Sequence, residues 1–130
     1  MRYPLGQYEA DSITSKTGKK LDQLTMDEVL KGNVTADDIK ISKEMLGRQG
    51  EVCMDNDNPA MAANMQRASE LVDVPDEVIL NMYNKMRPNR STKAELVFMA
   101  QELLEKYHAP HCAKLVLEAA DIYEKRGILL

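Results

Sequence analysis

Apolar positions recur at helical spacing through the second half of the chain. Leu96, Met99, Ala100, Leu103, Leu104 and Tyr107 make one stripe, and Leu115, Val116, Ala119, Ile122 and Tyr123 make another after Pro110. Upstream, Met61, Met65, Ala68 and Val72 follow Pro59, while Val78, Ile79, Met82, Tyr83 and Met86 follow Pro75. Each proline stands where a helix begins and its missing N–H costs nothing. The pattern predicts four consecutive amphipathic helices in a small bundle, with the helix over 59–71 and the one opened by Pro75 folded back as an antiparallel pair. Between the second and third, Pro88 drives Arg87 out of the α region and Thr92 with Glu95 forms a T-x-x-E capping box before Leu96. That stretch reads as helix, tight corner, helix. No repeat near 34 residues is visible, which excludes a solenoid.

The first half is patterned more weakly. Residues 1–24 have sparse hydrophobes, several lysines and the turn-former Gly18, with neither a 3.6 nor a 2 period. Such a segment buries too little apolar surface to offset its ordering entropy alone. It is expected to be an extended arm packing on a partner, with Tyr3, Leu5 and Tyr8 as candidate anchors. Residues 25–130 are expected to form a single α-helical domain. Thr25 and Glu28 open a short helix that Gly32 ends; Val34, Ile39 and Ile41 suggest a turn leading to a short extended piece; Ser42 caps a helix over residues 43 to about 54, weakened by Gly47 and Gly50. The expected fold class is mainly α: a small helical bundle with an extended N-terminal arm.

Composition narrows the function. A chain of 130 residues, 44% hydrophobic, suits one modest core, and a net charge of −4 argues against a generic partner for nucleic acid or anionic membrane. No apolar run approaches the roughly 20 residues that span a bilayer, and Met1-Arg2-Tyr3-Pro4 does not open like a signal peptide, so a cytoplasmic protein is expected. Cys53 and Cys112 are then read as reduced thiols. Nine methionines and no tryptophan make a core that fills gaps without specifying them tightly, as expected of ordinary helix core that in places doubles as an adaptable face.

Candidate chemistry is sparse. His108, His111 and Cys112, with Cys53, offer nitrogen and sulfur ligands, yet the spacing matches no standard zinc site and Pro110 breaks the pair of histidines. A Cys112–histidine nucleophile would need an oxyanion site and a cleft that a short bundle does not evidently supply. The run Asp55-Asn56-Asp57-Asn58 continues into Pro59 without the glycine and distal glutamate of a calcium loop, and reads as a solvated turn. Glu102, Glu105, Glu118, Asp121 and Glu124 fit solvated helix faces, and there is no phosphate-binding loop. No catalytic, cofactor-binding or metal-ligating residue is assigned. Lys85, Arg87, Arg90 and Lys93 form the one notable basic cluster: Lys85 and Arg87 suit a helix C-terminus, and Arg90 can reach a carboxylate of its own chain or of a partner.

A set of ordered landmarks spans nearly the whole chain. They are Tyr3-Pro4-Leu5; Thr17-Gly18-Lys19; Leu24-Thr25-Met26-Asp27-Glu28-Val29-Leu30; Ile39-Lys40-Ile41-Ser42; Asn64-Met65-Gln66-Arg67-Ala68-Ser69-Glu70-Leu71; Val74-Pro75-Asp76-Glu77; Arg87-Pro88 with Arg90-Ser91-Thr92-Lys93-Ala94-Glu95-Leu96; and Glu118-Ala119-Ala120-Asp121-Ile122-Tyr123. Together they resemble the small subunit of the adenosylcobalamin-dependent diol and glycerol dehydratases. The resemblance implies a non-catalytic chain that docks on a large subunit and supports assembly and solubility, in a dimer of heterotrimers with large and medium subunits. It implies that the large subunit's barrel holds the active site and that adenosylcobalamin lies between large and medium subunits, none being bound by this chain. The reaction implied is radical conversion of a 1,2-diol or glycerol to an aldehyde plus water. The choice between propane-1,2-diol and glycerol would reside in another chain. Some members carry an N-terminal extension linked with bacterial microcompartments; with almost nothing before Tyr3, encapsulation stays open and the sequence lends it no support. Tyr3, Leu5, Arg87 and Arg90 are the expected interface residues. The rival readings are a free-standing helical adaptor and a small metal enzyme using His108, His111 and Cys112.

Overall fold

Side-chain caps set where the main helices begin. Thr25 Oγ1 accepts the N–H of Glu28 at 3.2 Å, Ser42 Oγ that of Met45 at 3.1 Å, Asn58 Oδ1 that of Met61 at 3.2 Å and Thr92 Oγ1 that of Glu95 at 3.2 Å. Each satisfies a donor that a helix start leaves without a partner. The computed structural model describes residues 2–130; Met1, the first residue of the predicted arm, lies outside them. The α-helices among the described residues are α1 (Leu5–Tyr8), α2 (Met26–Leu30), α3 (Lys43–Asp55), α4 (Pro59–Glu70), α5 (Asp76–Lys85), α6 (Lys93–Glu105) and α7 (Pro110–Arg126). Short 3-10 turns lie at Ala10–Ser12, Leu21–Gln23 and Ala36–Ile39, and pairing in the extended conformation is limited to two isolated bridges. The fold is mainly α, as the periodicity indicates.

The chain divides into two compact units, one up to Val72 and one from Asp73 to Leu130. The sequence reading instead places its boundary near Leu24 and predicts that α4 pairs with the helix opened by Pro75; the unit boundary falls between those two helices. The partner of α4 is α3, and the partner of α7 is α6.

In the first unit α3 and α4 form a helical hairpin. Its turn uses the Asp-Asn run: Asp57 takes a left-handed conformation (φ 57°), the N–H of Asn58 donates to Cys53 O at 2.9 Å, and Asn56 Nδ2 donates to Val52 O at 2.8 Å. Residues 2–24 are not a detached extended arm. Leu5 is buried with Met45 and Val52 of α3, and Ile13 packs against them. The N–H of Lys16 donates to Lys40 O at 2.8 Å beside a Ser15–Ile41 bridge, and Thr17 Oγ1 donates to Asp38 Oδ1 at 2.7 Å. Gly18, at φ 89°, makes the tight return that brings the N–H of Ser15 to Lys19 O at 2.9 Å. One buried leucine and a few long-range backbone bonds order this segment, and neither leaves a local period in the sequence.

In the second unit Leu96, Met99, Ala100 and Leu103 of α6 are buried, as predicted. The buried face of α7 differs from prediction. It consists of Cys112, Ala113, Val116 and Ala120, preceded by Ala109, while Leu115 and Ile122 are nearly half exposed. The small residues suit close approach to α6, and the larger ones face outward.

Candidate functional site

The chemistry-bearing residues do not converge. Cys112 is buried in the second unit, whereas the adjacent His111 and the preceding His108 are exposed; Cys53 is half-buried in the first unit, and neither cysteine is in a disulfide. His108 takes a left-handed conformation (φ 52°) that closes the end of α6, where the N–H of Ala109 donates to Leu103 O at 2.8 Å. Among the described residues no group of three or more His, Cys, Asp and Glu is placed to hold a metal, and no helix is long and apolar enough to cross a membrane.

What the chain does display is uncovered apolar surface. Among the described residues of the first unit four hydrophobic ones are buried (Leu5, Val34, Met45, Val52), and ten large ones are exposed, among them Tyr3, Met26, Leu30 and Ile39. Tyr3, Leu21, Ile39 and Ile41 border an open groove of about 400 Å³ whose floor includes Leu5, Ile13 and Met45. Of the predicted interface residues here, Tyr3 is 62% exposed but Leu5 is 4% exposed, so Leu5 serves the unit's own core. The second unit adds Leu80, Tyr83, Val97, Phe98, Leu104, Leu115 and Ile122 to the exposed set. Val97 with Leu104, and Leu115 with Ile122, lie seven residues apart on outward helix faces. That spacing is visible in the sequence, but so is the inward stripe beside it, and periodicity cannot say which of two adjacent apolar faces is covered.

The predicted interface arginines lie at the corner between α5 and α6, which is braced from several sides. Ser91, 2% exposed, donates its hydroxyl to Lys85 O at 2.8 Å, and the Tyr123 hydroxyl donates to Met86 O at 2.7 Å. The tail closes on the same loop: the N–H of Asn89 donates to Ile128 O at 2.8 Å and the N–H of Leu130 to Ser91 O at 2.9 Å. Asn89 and Gly127 take left-handed conformations (φ 60° and 69°) that turn the chain into these contacts. Two members of the basic cluster are used internally. Lys93 sits 3.3 Å from both Asp121 and Glu124, and those carboxylates, Glu124 foremost, hold its ammonium pKa above the usual lysine value. Lys85 lies 3.9 Å from Glu95. Arg87 and Arg90 are exposed, and their guanidinium groups have no ion-pair partner among the described residues.

Comparison with known proteins gives this arrangement a family. A model of the dehydratase small subunit family matches residues 1–130. The propanediol dehydratase small subunit of Citrobacter freundii is 43% identical over 124 residues, spanning 95% of this chain and 72% of the relative. That of Salmonella typhimurium LT2 is 42% identical over the same shares of the two chains. The match over residues 1–130 and these identities over most of both relatives place it: the chain belongs to the dehydratase small subunit family.

Proposed function

We propose that this chain is the non-catalytic small subunit of a cytoplasmic, adenosylcobalamin-dependent diol or glycerol dehydratase, where it docks on the large subunit and supports assembly with the medium subunit in a dimer of heterotrimers. The enzyme's reaction in this reading is elimination of water from a 1,2-diol or glycerol to give an aldehyde. The observation that carries the reading is the excess of uncovered over covered apolar side chains. Large exposed apolar area marks a surface that another protein covers, and obligate subunit interfaces resemble a core cut in half. The names of the relatives supply the enzyme to which such a subunit would belong. In this reading adenosylcobalamin is bound by the other subunits and not by this chain. No step of the reaction is therefore drawn through residues of this chain.

Co-expression of the tagged chain with the large and medium subunits of its own source tests this. The expected result is co-purification of all three and aldehyde formation from propane-1,2-diol or glycerol only after adenosylcobalamin is added. Recovery of the tagged chain alone, monodisperse and folded, would favour a free-standing adaptor.

A further inference from the structure

Arg87 and Arg90 have no structural employment in the corner that carries them. A cation beyond a helix end ordinarily complements the last carbonyls, but here those carbonyls are taken. The N–H of Met86 reaches Met82 O and Tyr83 O, that of Arg87 reaches Asn84 O at 3.3 Å, the Ser91 hydroxyl takes Lys85 O, and the Tyr123 hydroxyl takes Met86 O. The acids nearby are occupied too, Glu95 by Lys85, and Asp121 with Glu124 by Lys93. Arg126, exposed in the last turn of α7, adds a third guanidinium just before the tail that pairs with Asn89 and Ser91.

Beside these charges runs an apolar strip. Leu80 and Tyr83, 62% and 68% exposed, lie three residues apart on α5, and Arg87 follows two residues beyond the end of that helix. Exposed tyrosine and arginine on a rigid backbone are the residue types that dominate binding energy at interfaces, because both present large, ordered contact groups. The bracing bonds hold the backbone in place before any partner arrives, so little ordering is left to be done on binding.

We propose that the Leu80–Tyr83–Arg87–Arg90 face is a docking site for a carboxylate-bearing segment of the large subunit, with Tyr83 packed against apolar surface and the two guanidiniums paired to Asp or Glu side chains. This rests on the docking reading above and specifies where and by what chemistry it occurs. Arginine's planar fork pairs two-point with carboxylate, and the acids of this chain nearest the corner are already held by Lys85 and Lys93.

The test uses the co-expressed three-subunit complex, retained through a tag on the large subunit and washed at rising NaCl. Arg87→Glu/Arg90→Glu is expected to lower the retained fraction of this chain about tenfold, and Tyr83→Ala to lower it further, whereas Arg87→Lys/Arg90→Lys retains most of it at low salt and loses it at high salt. Lys43→Glu, a charge reversal at an exposed position of the first unit, is expected to change nothing. Thermal melts of the free variants serve as the folding control, and unchanged melts are expected because the arginines hold nothing internally. Retention of the double glutamate variant at the wild-type level at all salt concentrations, with the wild-type chain bound, would overturn the corner and leave docking standing. Failure of the wild-type chain itself to co-purify would overturn both. Equal loss with Lys43→Glu would replace the corner by general electrostatics.

Discussion

The two units of this chain solve the same problem with different resources. From Asp73 onward, eleven hydrophobic residues are buried, nine of them on α6, on α7 and at Ala109. Before that, Leu5, Val34, Met45 and Val52 are the buried hydrophobic residues among those described, and order comes also from caps, tight turns and hydrogen bonds that join residues 15–17 to 38–41. Backbone bonds contribute only about 0.5–1.5 kcal/mol net each, against about 1.5–3 kcal/mol for each large apolar side chain fully buried. A unit built mainly on the first kind of interaction is marginal by itself. The difference teaches where a partner is needed: the second unit brings a core and offers a surface, whereas the first offers surface for want of a core.

The largest test of that contrast is a pair of core truncations. Leu96→Ala, at a fully buried position, is expected to cost about 2–5 kcal/mol, read as a drop in urea stability of α6 and α7. Met45→Ala should release the first unit while α6 and α7 keep their amide protection against hydrogen exchange. A single transition in which both units are lost together in either variant would break the contrast. Next in size, Tyr123→Phe removes the hydroxyl bond to Met86 O and leaves a part-buried carbonyl without its partner. The expected loss is about 1–3 kcal/mol in thermal or urea melts, confined to the second unit.

The corner makes clear what the sequence discloses and what it withholds. The Thr92 cap and the stripe through Leu96 and Leu103 are local signals that the structure has in their predicted roles, whereas the Glu95 carboxylate does not close the capping box but accepts the Thr92 hydroxyl and faces Lys85. The caps at Thr25, Ser42 and Asn58 were equally legible. The bonds that brace the corner were not, because Tyr123 and Ile128 reach it from the far end of the unit and no spacing rule links positions so distant. The same reason hides the burial of Leu5, whose neighbours lie on α3. On α7 the cause is different: of the predicted stripe Val116 is covered, but Leu115 and Ile122 are exposed, and the small residues Cys112, Ala113 and Ala120 complete the covered face. As for the candidate site, the type and position of Arg87 and Arg90 were legible, but their lack of any internal partner shows only in three dimensions.

Smaller effects sharpen the comparison. His108→Gly relieves a left-handed residue at the end of α6 and is expected to raise the stability of the second unit by about 1 kcal/mol, seen as a higher melting temperature. Smallest are two pH effects, one in each unit. Asp38 has a lowered pKa, first from the Thr35 N–H that donates to its carboxylate at 2.8 Å, then from the Thr17 hydroxyl. Its contribution is therefore present above the ordinary value of 3.8 and lost as pH falls through the lower folded value. Lys93 has a raised pKa, so its contribution is present below the ordinary value of 10.5 and lost as pH rises through the higher folded one. Acid should thus shift NMR resonances around Thr17 and Thr35, and alkali those around Lys93 and Glu124. The Lys93 ammonium stays in reach of solvent, so high salt should flatten the alkaline response.

The pairing of Asn89 with Ile128 and of Ser91 with Leu130 also has a bearing on timing. Synthesis runs from the N-terminus, so α5, α6 and most of α7 leave the ribosome while the segment that clasps their corner is still inside it. The loop carrying Arg87 and Arg90 gains its last two backbone bonds only once Ile128 and Leu130 have emerged. A partner that recognises the finished corner therefore waits for both residues, and contact with the chain before that point would have to begin from a different face.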